Sequence, residues 1–273
     1  MENHLTARWI PDAHDANLGA ALVPQPAAVP IGTTCDPVHG GEQEGERPFW
    51  VKSFDVLAVS TLIVLLALAV QRLAAALLAG GPGWLLLPTG VAALLCADLL
   101  SGLVHWIGDR FFQESTPILG PMLIRPFREH HRDPLAITRH GFFELCGNNA
   151  LAVLAPVLLL LLLGAPPRSS VRAFAGNAFV VFLAIAIFAT NQFHKWAHAA
   201  ETARPVRWLQ AARVILSPTV HAQHHRGDFS RGYCVTTGWL NPVLDALHVL
   251  PRCERALRGL AQGARRVPPP LPS

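Results

Sequence analysis

The chain has 273 residues, of which 51% are hydrophobic and only 15% are charged, whereas charged residues make up about 25% of an average soluble domain. The mean hydropathy is +0.34, which argues against a soluble globular enzyme and favours an integral membrane protein. The formal net charge of +4 is small and thinly spread, so no nucleic-acid partner is predicted.

The two ends of the chain differ in composition from its middle. Residues 1–50 are rich in Pro, Gly, Ala and charge and show no periodicity, which predicts a disordered N-terminal tail. Residues 51–250 are predicted to form the membrane domain, and residues 251–273, which end in ARRVPPPLPS, a C-terminal tail. The five cysteines are odd in number and form no CxxC pair, so neither a disulfide framework nor a zinc ribbon is indicated.

Four apolar runs follow the N-terminal tail in chain order. They cover residues 54–79, 84–106, 150–165 and 178–193. A helix needs roughly 20 residues to cross the hydrocarbon core; the first two runs reach that length, and the last two are shorter. Four such runs in a chain with so few charges predict an all-α membrane bundle of about four transmembrane helices.

The segments between the runs predict the orientation of the bundle. The segment from residue 106 to 149 and the segment after residue 194 carry most of the arginines, and with four spans both lie on the same side as the N-terminus. Positive residues favour the cytosolic side, although Arg168 and Arg172 in the other loop argue the opposite way. We therefore predict a multi-pass protein of the endoplasmic reticulum in a eukaryote, or of the inner membrane in a bacterium.

Nine histidines fall on this predicted cytosolic surface, where they would form a histidine-rich helical cap. They are His105, His130, His131, His140, His194, His198, His221, His224 and His225. Residues three or four apart share one face of a helix, so His105 lies beside Asp109, and His194 beside His198. In HAQHH, if it is helical, His221 lies beside both of the later histidines.

Nine histidines and Asp109 exceed the needs of one zinc ion, which takes about four ligands, and are enough for two metal ions. Coordination by imidazole suits iron, copper, zinc or nickel, and two irons would allow O₂ to be bound and cleaved between them. A zinc protease is not indicated, because Lys195 stands where HExxH has its glutamate. Haem is a poor alternative, because these histidines lie at helix ends and in loops.

Other polar residues are predicted to support the site. Asp98 lies inside an apolar run, where a carboxylate costs roughly 2.5–3.5 kcal/mol, so it either orients His105 or makes a structural hydrogen bond across the bundle. Asn191, one turn before His194, is a second candidate partner behind the ligands. Three arginines either bind a lipid phosphate or, as we prefer, belong to the positive cytosolic excess; they are Arg125, Arg128 and Arg132.

Four segments of the chain resemble the plasmanylethanolamine desaturase family, in the same order. They are ADLLSGLVHWIGD, PILGPMLIRPFREHHRDPLAITRH, TNQFHKWAH, and HAQHH followed by YCVTTGWLNPVLD. The resemblance covers about residues 95–250. This family of membrane desaturases uses iron, O₂ and external electrons to convert the 1-O-alkyl chain of an ether phospholipid into a 1-O-alk-1′-enyl chain. A related plant group desaturates an acyl chain of phosphatidylglycerol, but REHHRDPLAITRH and HKWAH are closer to the ether-lipid group.

The resemblance implies two histidine boxes, from His194 to His198 and from His221 to His225, which hold a di-iron centre with the other histidines of the cap. Where other membrane desaturases have a first box of HxxxH type, the box in this chain reads HxxxD and its last residue is Asp109, so Asp109 binds iron directly, binds it through water, or orients His105. A separate electron donor, similar to cytochrome b5 or ferredoxin, is expected. Alternatives are an acyl-lipid desaturase, a lipid hydroxylase with the same metal site, and a non-enzymatic metal transporter, against which the one-sided histidines argue.

Overall fold

The computed structural model describes residues 48–117, 119–120, 124–226 and 228–265. Within these ranges the chain is helical and contains no β-strand, which confirms the all-α prediction. The helices are α1 Phe49–Leu78, α2 Leu86–Phe111, α3 Arg125–Arg132, α4 Ala136–Arg139, α5 Phe142–Leu163, α6 Val171–His198, α7 Arg204–Ala211, α8 Pro218–His221, α9 Asn241–Ala246 and α10 Val249–Arg265, with a short 3₁₀ helix, Gly83–Leu85, before α2. Apart from residues 48–50, the predicted N-terminal tail lies outside the described residues.

Four of these helices, α1, α2, α5 and α6, are long and apolar enough to cross a membrane, as predicted. α5 and α6 are longer than the apolar runs from which they were predicted, and two polar side chains of α6 bond to backbone inside the bundle. The amide of Asn191 donates to the carbonyl of Leu145 at 2.9 Å, and that of Asn177 donates to the carbonyl of Ala165 at 3.0 Å. These bonds give partners to polar side chains that lie within the apolar bundle.

The spans pack as a bundle, with α1 against α5, α5 against α6, and α6 against α2. Apolar side chains are buried where α1, α5 and α6 meet, among them Val59, Leu62, Val157 and Val181. Other large apolar side chains on the same helices point outward and are exposed, including Leu57, Val64, Leu159 and Leu163. An apolar exterior of this kind is stable in lipid and not in water.

Arginines cap helices at the end of the bundle away from the histidines. Arg72, near the end of α1, donates to the carbonyls of Leu161 at 3.3 Å and Gly164 at 3.0 Å, where α5 ends. Arg168 donates to the carbonyl of Ala75 at 2.6 Å, near the end of α1. Because the last carbonyls of a helix have no partner within it, Arg72 satisfies carbonyls at the end of α5, whereas Arg168 adds a second donor to the carbonyl of Ala75, which also accepts the N–H of Ala79 at 3.3 Å. Arg168, which argued against the predicted orientation, thus has a structural role of its own.

The short helices cover the other end of the bundle. α3 and α4 lie in the segment between α2 and α5, and α7 to α10 follow the last span. α10 is helical from Val249 to Arg265, where the sequence predicts a tail from residue 251.

Candidate metal centre

Four elements bring eight of the nine predicted histidines together with Asp109. They are the last turns of α2 and α6, together with α3, and α8 with the turn that follows it. The side chains form two groups, in each of which one nitrogen or oxygen atom per residue lies within 4.8 Å of the others. Group A is His130, His198, His221 and His225. Group B is His105, Asp109, His131 and His224.

Group A consists only of imidazoles, and the Nε2 atoms of His198 and His225 both lie close to that of His221. The Nε2 atom of His221 lies 2.8 Å from that of His198 and 3.0 Å from that of His225. His194 adjoins the group, with its Nε2 atom 2.9 Å from that of His221 and 3.3 Å from that of His198. Both predicted boxes, HKWAH and HAQHH, therefore contribute to one cluster of nitrogen atoms.

Group B contains three imidazoles and one carboxylate. The Nε2 atom of His131 lies 2.9 Å from that of His224 and 3.4 Å from that of His105. The Oδ2 atom of Asp109 lies 3.6 Å from Nε2 of His105 and 3.8 Å from Nε2 of His224. The HxxxD pair on the last turns of α2 thus faces the same point as the imidazoles of His131 and His224.

Hydrogen bonds alone do not provide partners for all the polar atoms of group B. The Nδ1 atoms of His105 and His224 face the carbonyls of Tyr233 at 3.3 Å and Arg231 at 2.7 Å, so they carry the ring protons and each Nε2 atom keeps a lone pair. Both lone pairs point at His131, which can donate to only one of them. Among the described residues, neither buried carboxylate oxygen of Asp109 has a hydrogen-bond partner.

A metal ion in each group would accept the ring-nitrogen lone pairs that face one another there. A metal–nitrogen distance of about 2.0–2.1 Å places neighbouring ligand nitrogens roughly 3.0–3.4 Å apart. The shortest separations between Nε2 atoms in the two groups run from 2.8 to 3.4 Å, and all candidate ligand atoms of a group lie within 4.8 Å of one another. A cation in group B would also compensate the buried Asp109 carboxylate. The residues present therefore fit bound metal ions.

Burial keeps the histidines outside the spans in the neutral form that binds metal. It lowers the pKa of His131 to about 3 and that of His224 to about 4, with a contribution from neighbouring imidazoles. Burial also lowers the pKa of His221 and of His225. At neutral pH these four rings carry no positive charge, so no proton has to be displaced before a metal binds.

The segment from residue 231 to 241 supports group B from behind, because it provides the two carbonyls that orient His105 and His224. Asp98 holds this segment in place. Its Oδ1 atom accepts the N–H groups of Thr237 at 2.7 Å and Gly238 at 2.8 Å, and its Oδ2 atom accepts that of Leu240 at 3.0 Å. Of the two roles predicted for Asp98, the structure shows the hydrogen bond across the bundle.

Further contacts fix the backbone of the same segment and hold it close to α2. Asn241 bonds both backbone groups of Cys234, at 2.8 and 2.9 Å, and Ser101 accepts the N–H of Val235 at 3.1 Å. A Cβ atom on Gly102 would lie 2.6 Å from the sulfur of Cys234, so only glycine fits there. Sequence reasoning missed these supports; the signal for them was the run YCVTTGWLN after the last histidine box, which no other role explained.

The remaining predicted residues lie at the edge of the site. His140 belongs to neither group; its Nδ1 atom lies 3.2 Å from Glu144 and its carbonyl accepts from Lys195 at 2.6 Å, so its role as a ligand stays a prediction. Arg128 and Arg132 line a cleft next to group B. Arg125, on the same helix, is exposed and does not line it.

Comparison with known proteins shows which family the chain belongs to. Residues 94–266 match the lipid desaturase domain. The chain is 39% identical over 207 residues to the plasmanylethanolamine desaturase of Myxococcus xanthus, a match covering 76% of this chain and 72% of that protein. It is 42% identical over 174 residues to plasmanylethanolamine desaturase 1 of Mus musculus, covering 62% and 64%.

A third relative comes from a plant. Fatty acid desaturase 4, chloroplastic, of Arabidopsis thaliana is 36% identical over 167 residues, covering 60% of this chain and 49% of that protein. No solved structure matches the chain.

Proposed function

Because the chain belongs to the lipid desaturase domain family and is an oxidoreductase, we propose that it converts the 1-O-alkyl chain of a plasmanylethanolamine into the 1-O-alk-1′-enyl chain of a plasmalogen. The observation that carries the proposal is the pair of histidine groups at one end of a four-span bundle. Two of the most similar relatives are named as plasmanylethanolamine desaturases.

The reaction removes one hydrogen from each of carbons 1 and 2 of the alkyl chain. These two hydrogens, with two electrons and two protons from a donor, reduce O₂ to two molecules of water. An alkyl C–H bond is too strong for acid–base chemistry by side chains. Two iron ions bound at the groups would supply the oxidising chemistry with O₂.

The residues of the chain have distinct parts in this proposal. Group A, with His194 beside it, would hold one ion through imidazoles alone, and group B would hold the other through three imidazoles and Asp109. The carbonyls of Arg231 and Tyr233 fix the rings of His224 and His105, so that their Nε2 atoms point into group B. His130 and His221 of group A and His105 and His224 of group B are buried, which would limit the access of bulk water to the reacting carbons.

The arginine distribution supports a cytosolic position for this end of the bundle, in the endoplasmic reticulum of a eukaryote or the inner membrane of a bacterium. Electrons would then come from a separate cytosolic donor, similar to cytochrome b5 or ferredoxin.

An acyl-lipid desaturase is the second candidate, because a relative at 36% identity is named a fatty acid desaturase. A lipid hydroxylase would share the metal site and differ in its product. The type of lipid product therefore separates all three candidates.

Expression of the chain in cells that contain alkyl ether phospholipids but no vinyl ethers tests the proposal. We expect acid-labile vinyl ether to appear in the lipid extract, and none with a His198→Ala variant that reaches the membrane in equal amount. A new acyl double bond or a hydroxylated alkyl chain, without vinyl ether, would contradict the proposal.

A further inference from the structure

A cleft of about 270 Å³ opens beside group B and has a composition unlike the rest of the apolar bundle. Two of its lining residues, Asp109 and His131, belong to group B. The others are Arg110, Arg128, Arg132, Asp228 and Phe229. We call this feature the arginine cleft. It places three arginines and two aspartates at the edge of the candidate metal centre.

The three arginines of the cleft differ in how their charge is compensated. Arg110 makes two bonds to Glu254, at 2.9 and 3.1 Å, and Arg132 pairs with Glu114. The half-buried Arg128 donates to the backbone carbonyl of Phe112, and within the described part of the chain it has no ion pair with a carboxylate. Arg128 therefore keeps a full charge and unused N–H donors in the cleft.

A guanidinium in such a position is suited to phosphate, because its planar donors match two phosphate oxygens at once. Arg132 lies one helical turn further along α3 and adds a second cation to the same cleft. Phe229, whose ring stacks on His131 at 4.4 Å between centroids, closes the cleft over group B.

The position of the cleft matches the chemistry of the proposed substrate, on which this inference rests. In an ether phospholipid, carbon 1 of the alkyl chain is six bonds from phosphorus, or within roughly 8 Å with bonds near 1.5 Å. An enzyme that oxidises this carbon must therefore hold the phosphate close to its metal centre. An enzyme that oxidises the middle of a long chain has no such requirement.

We propose that the arginine cleft binds the phosphate of the glycerophospholipid substrate, with Arg128 as its principal donor and Arg132 as a second cation. Carbons 1 and 2 of the alkyl chain then lie at the two histidine groups. The cleft thus selects phosphate-bearing ether lipids over neutral ether lipids and sets which carbons of the chain are oxidised.

Steady-state kinetics of the purified, iron-loaded full chain in detergent micelles test the proposal. The substrates are 1-O-alkyl-2-acyl-glycerophosphoethanolamine and its phosphate-free counterpart, 1-O-alkyl-2-acylglycerol. With Arg128→Gln we expect KM for the phospholipid to rise about tenfold or more, as for a lost charged hydrogen bond, with a much smaller change in kcat. Arg128→Lys keeps the charge but not the planar donors, so its KM should lie between that of the unchanged protein and that of Arg128→Gln.

The phosphate-free lipid should be a poor substrate of the unchanged protein, and Arg128→Gln should not make it worse. The matched control is Arg255→Gln, an exposed arginine of α10 outside the cleft, which should leave KM unchanged. Equal KM values for the unchanged protein and Arg128→Gln, together with vinyl ether formation, would overturn the cleft proposal and leave the proposed function standing.

A binding measurement gives a readout that needs no turnover. Calorimetric titration of the metal-free full chain with glycerophosphoethanolamine should show binding that Arg128→Gln weakens about tenfold or more and Arg255→Gln leaves unchanged. If inorganic phosphate binds as tightly as glycerophosphoethanolamine, the cleft is a general anion site and the assignment to a lipid headgroup is wrong. If the unchanged protein makes no vinyl ether, the proposed function fails, whatever the cleft binds.

Discussion

Groups A and B contain four candidate ligands each, yet the chain builds them in different ways. In group A, His221 and His225 are four residues apart, and His198 follows His194 by the same interval. A spacing of four residues therefore brings each pair together, within α6 for His194 and His198 and across the turn after α8 for His221 and His225. In group B, the rings of His105 and His224 are aimed by carbonyls of the segment from residue 231 to 241, which is distant in sequence from His105.

This difference implies different sensitivities. Group A takes its ligands from α3, α6 and α8 with the turn that follows it, so substitutions in or beside these elements should disturb it most. Group B depends also on Asp98 and Gly102, which hold the segment against α2, and on Asn241, which fixes the segment at Cys234. The same segment also bonds to α6 and to the chain before α8 through Thr236, so substitutions at these supports should affect group B more strongly than group A.

The largest effect is expected from loss of a ligand in either group. His198→Ala in group A and His224→Ala in group B should each reduce vinyl ether to background, because the proposed reaction would need an ion in each group. Immunoblots of membrane fractions should show unchanged protein. Turnover at the normal rate in either variant would show that the reaction does not need that group.

Removal of the carboxylate of group B should rank next. In Asp109→Asn the side chain keeps its size but loses the charge that compensates a cation. We expect the affinity of group B for metal to fall by at least 10- to 100-fold, which is typical of losing a residue that only supports a ligand. Metal titration of the purified variant measures this, and an unchanged affinity would show that Asp109 only orients His105.

Loss of the support at Asp98 should act on group B from a distance. Asp98→Ala leaves the N–H groups of Thr237, Gly238 and Leu240 without their acceptor, at a cost of roughly 1–3 kcal/mol for each group that stays buried. The melting temperature should fall, and metal should be lost from group B before group A. Equal loss from both groups would mean that the segment does not support group B selectively.

The smallest effect is expected from added volume at Gly102. In Gly102→Ala the new Cβ atom would lie 2.6 Å from the sulfur of Cys234, and relief of this contact should cost about 1–3 kcal/mol of stability. The control is Gly176→Ala in α6, where a Cβ atom meets nothing within 4 Å and helix propensity favours alanine. Thermal denaturation of both variants checks this difference in stability. Equal melting temperatures would contradict the close approach of Cys234 to Gly102.

Periodic patterns in the sequence predicted the features that depend on local structure. Apolar runs located the four spans, and intervals of four residues paired His194 with His198 and His105 with Asp109. The parity of the spans placed the histidines at one end of the bundle, as the structure shows for eight of them. α10 was missed because its residues were assigned to the C-terminal tail, although Val249, Cys253, Leu257 and Leu260 recur at helical intervals.

Features that depend on contacts between distant residues were beyond sequence reasoning. The carbonyls of Arg231 and Tyr233 orient the rings of His224 and His105, yet a backbone carbonyl leaves no trace in residue type. The burial of Asp98 was predictable from its apolar neighbours, but its partners lie about 140 residues later in the chain. The division of the histidines into two groups likewise needed the folded positions of α3 and α8.

The metal content of the purified protein tests the central claim most directly. After anaerobic reconstitution with ferrous iron and removal of excess metal, elemental analysis should give two irons per chain for the unchanged protein. His198→Ala and His224→Ala should each retain about one, because each disrupts a different group. One iron or none in the unchanged protein, or two irons in both variants, would contradict a centre built from groups A and B.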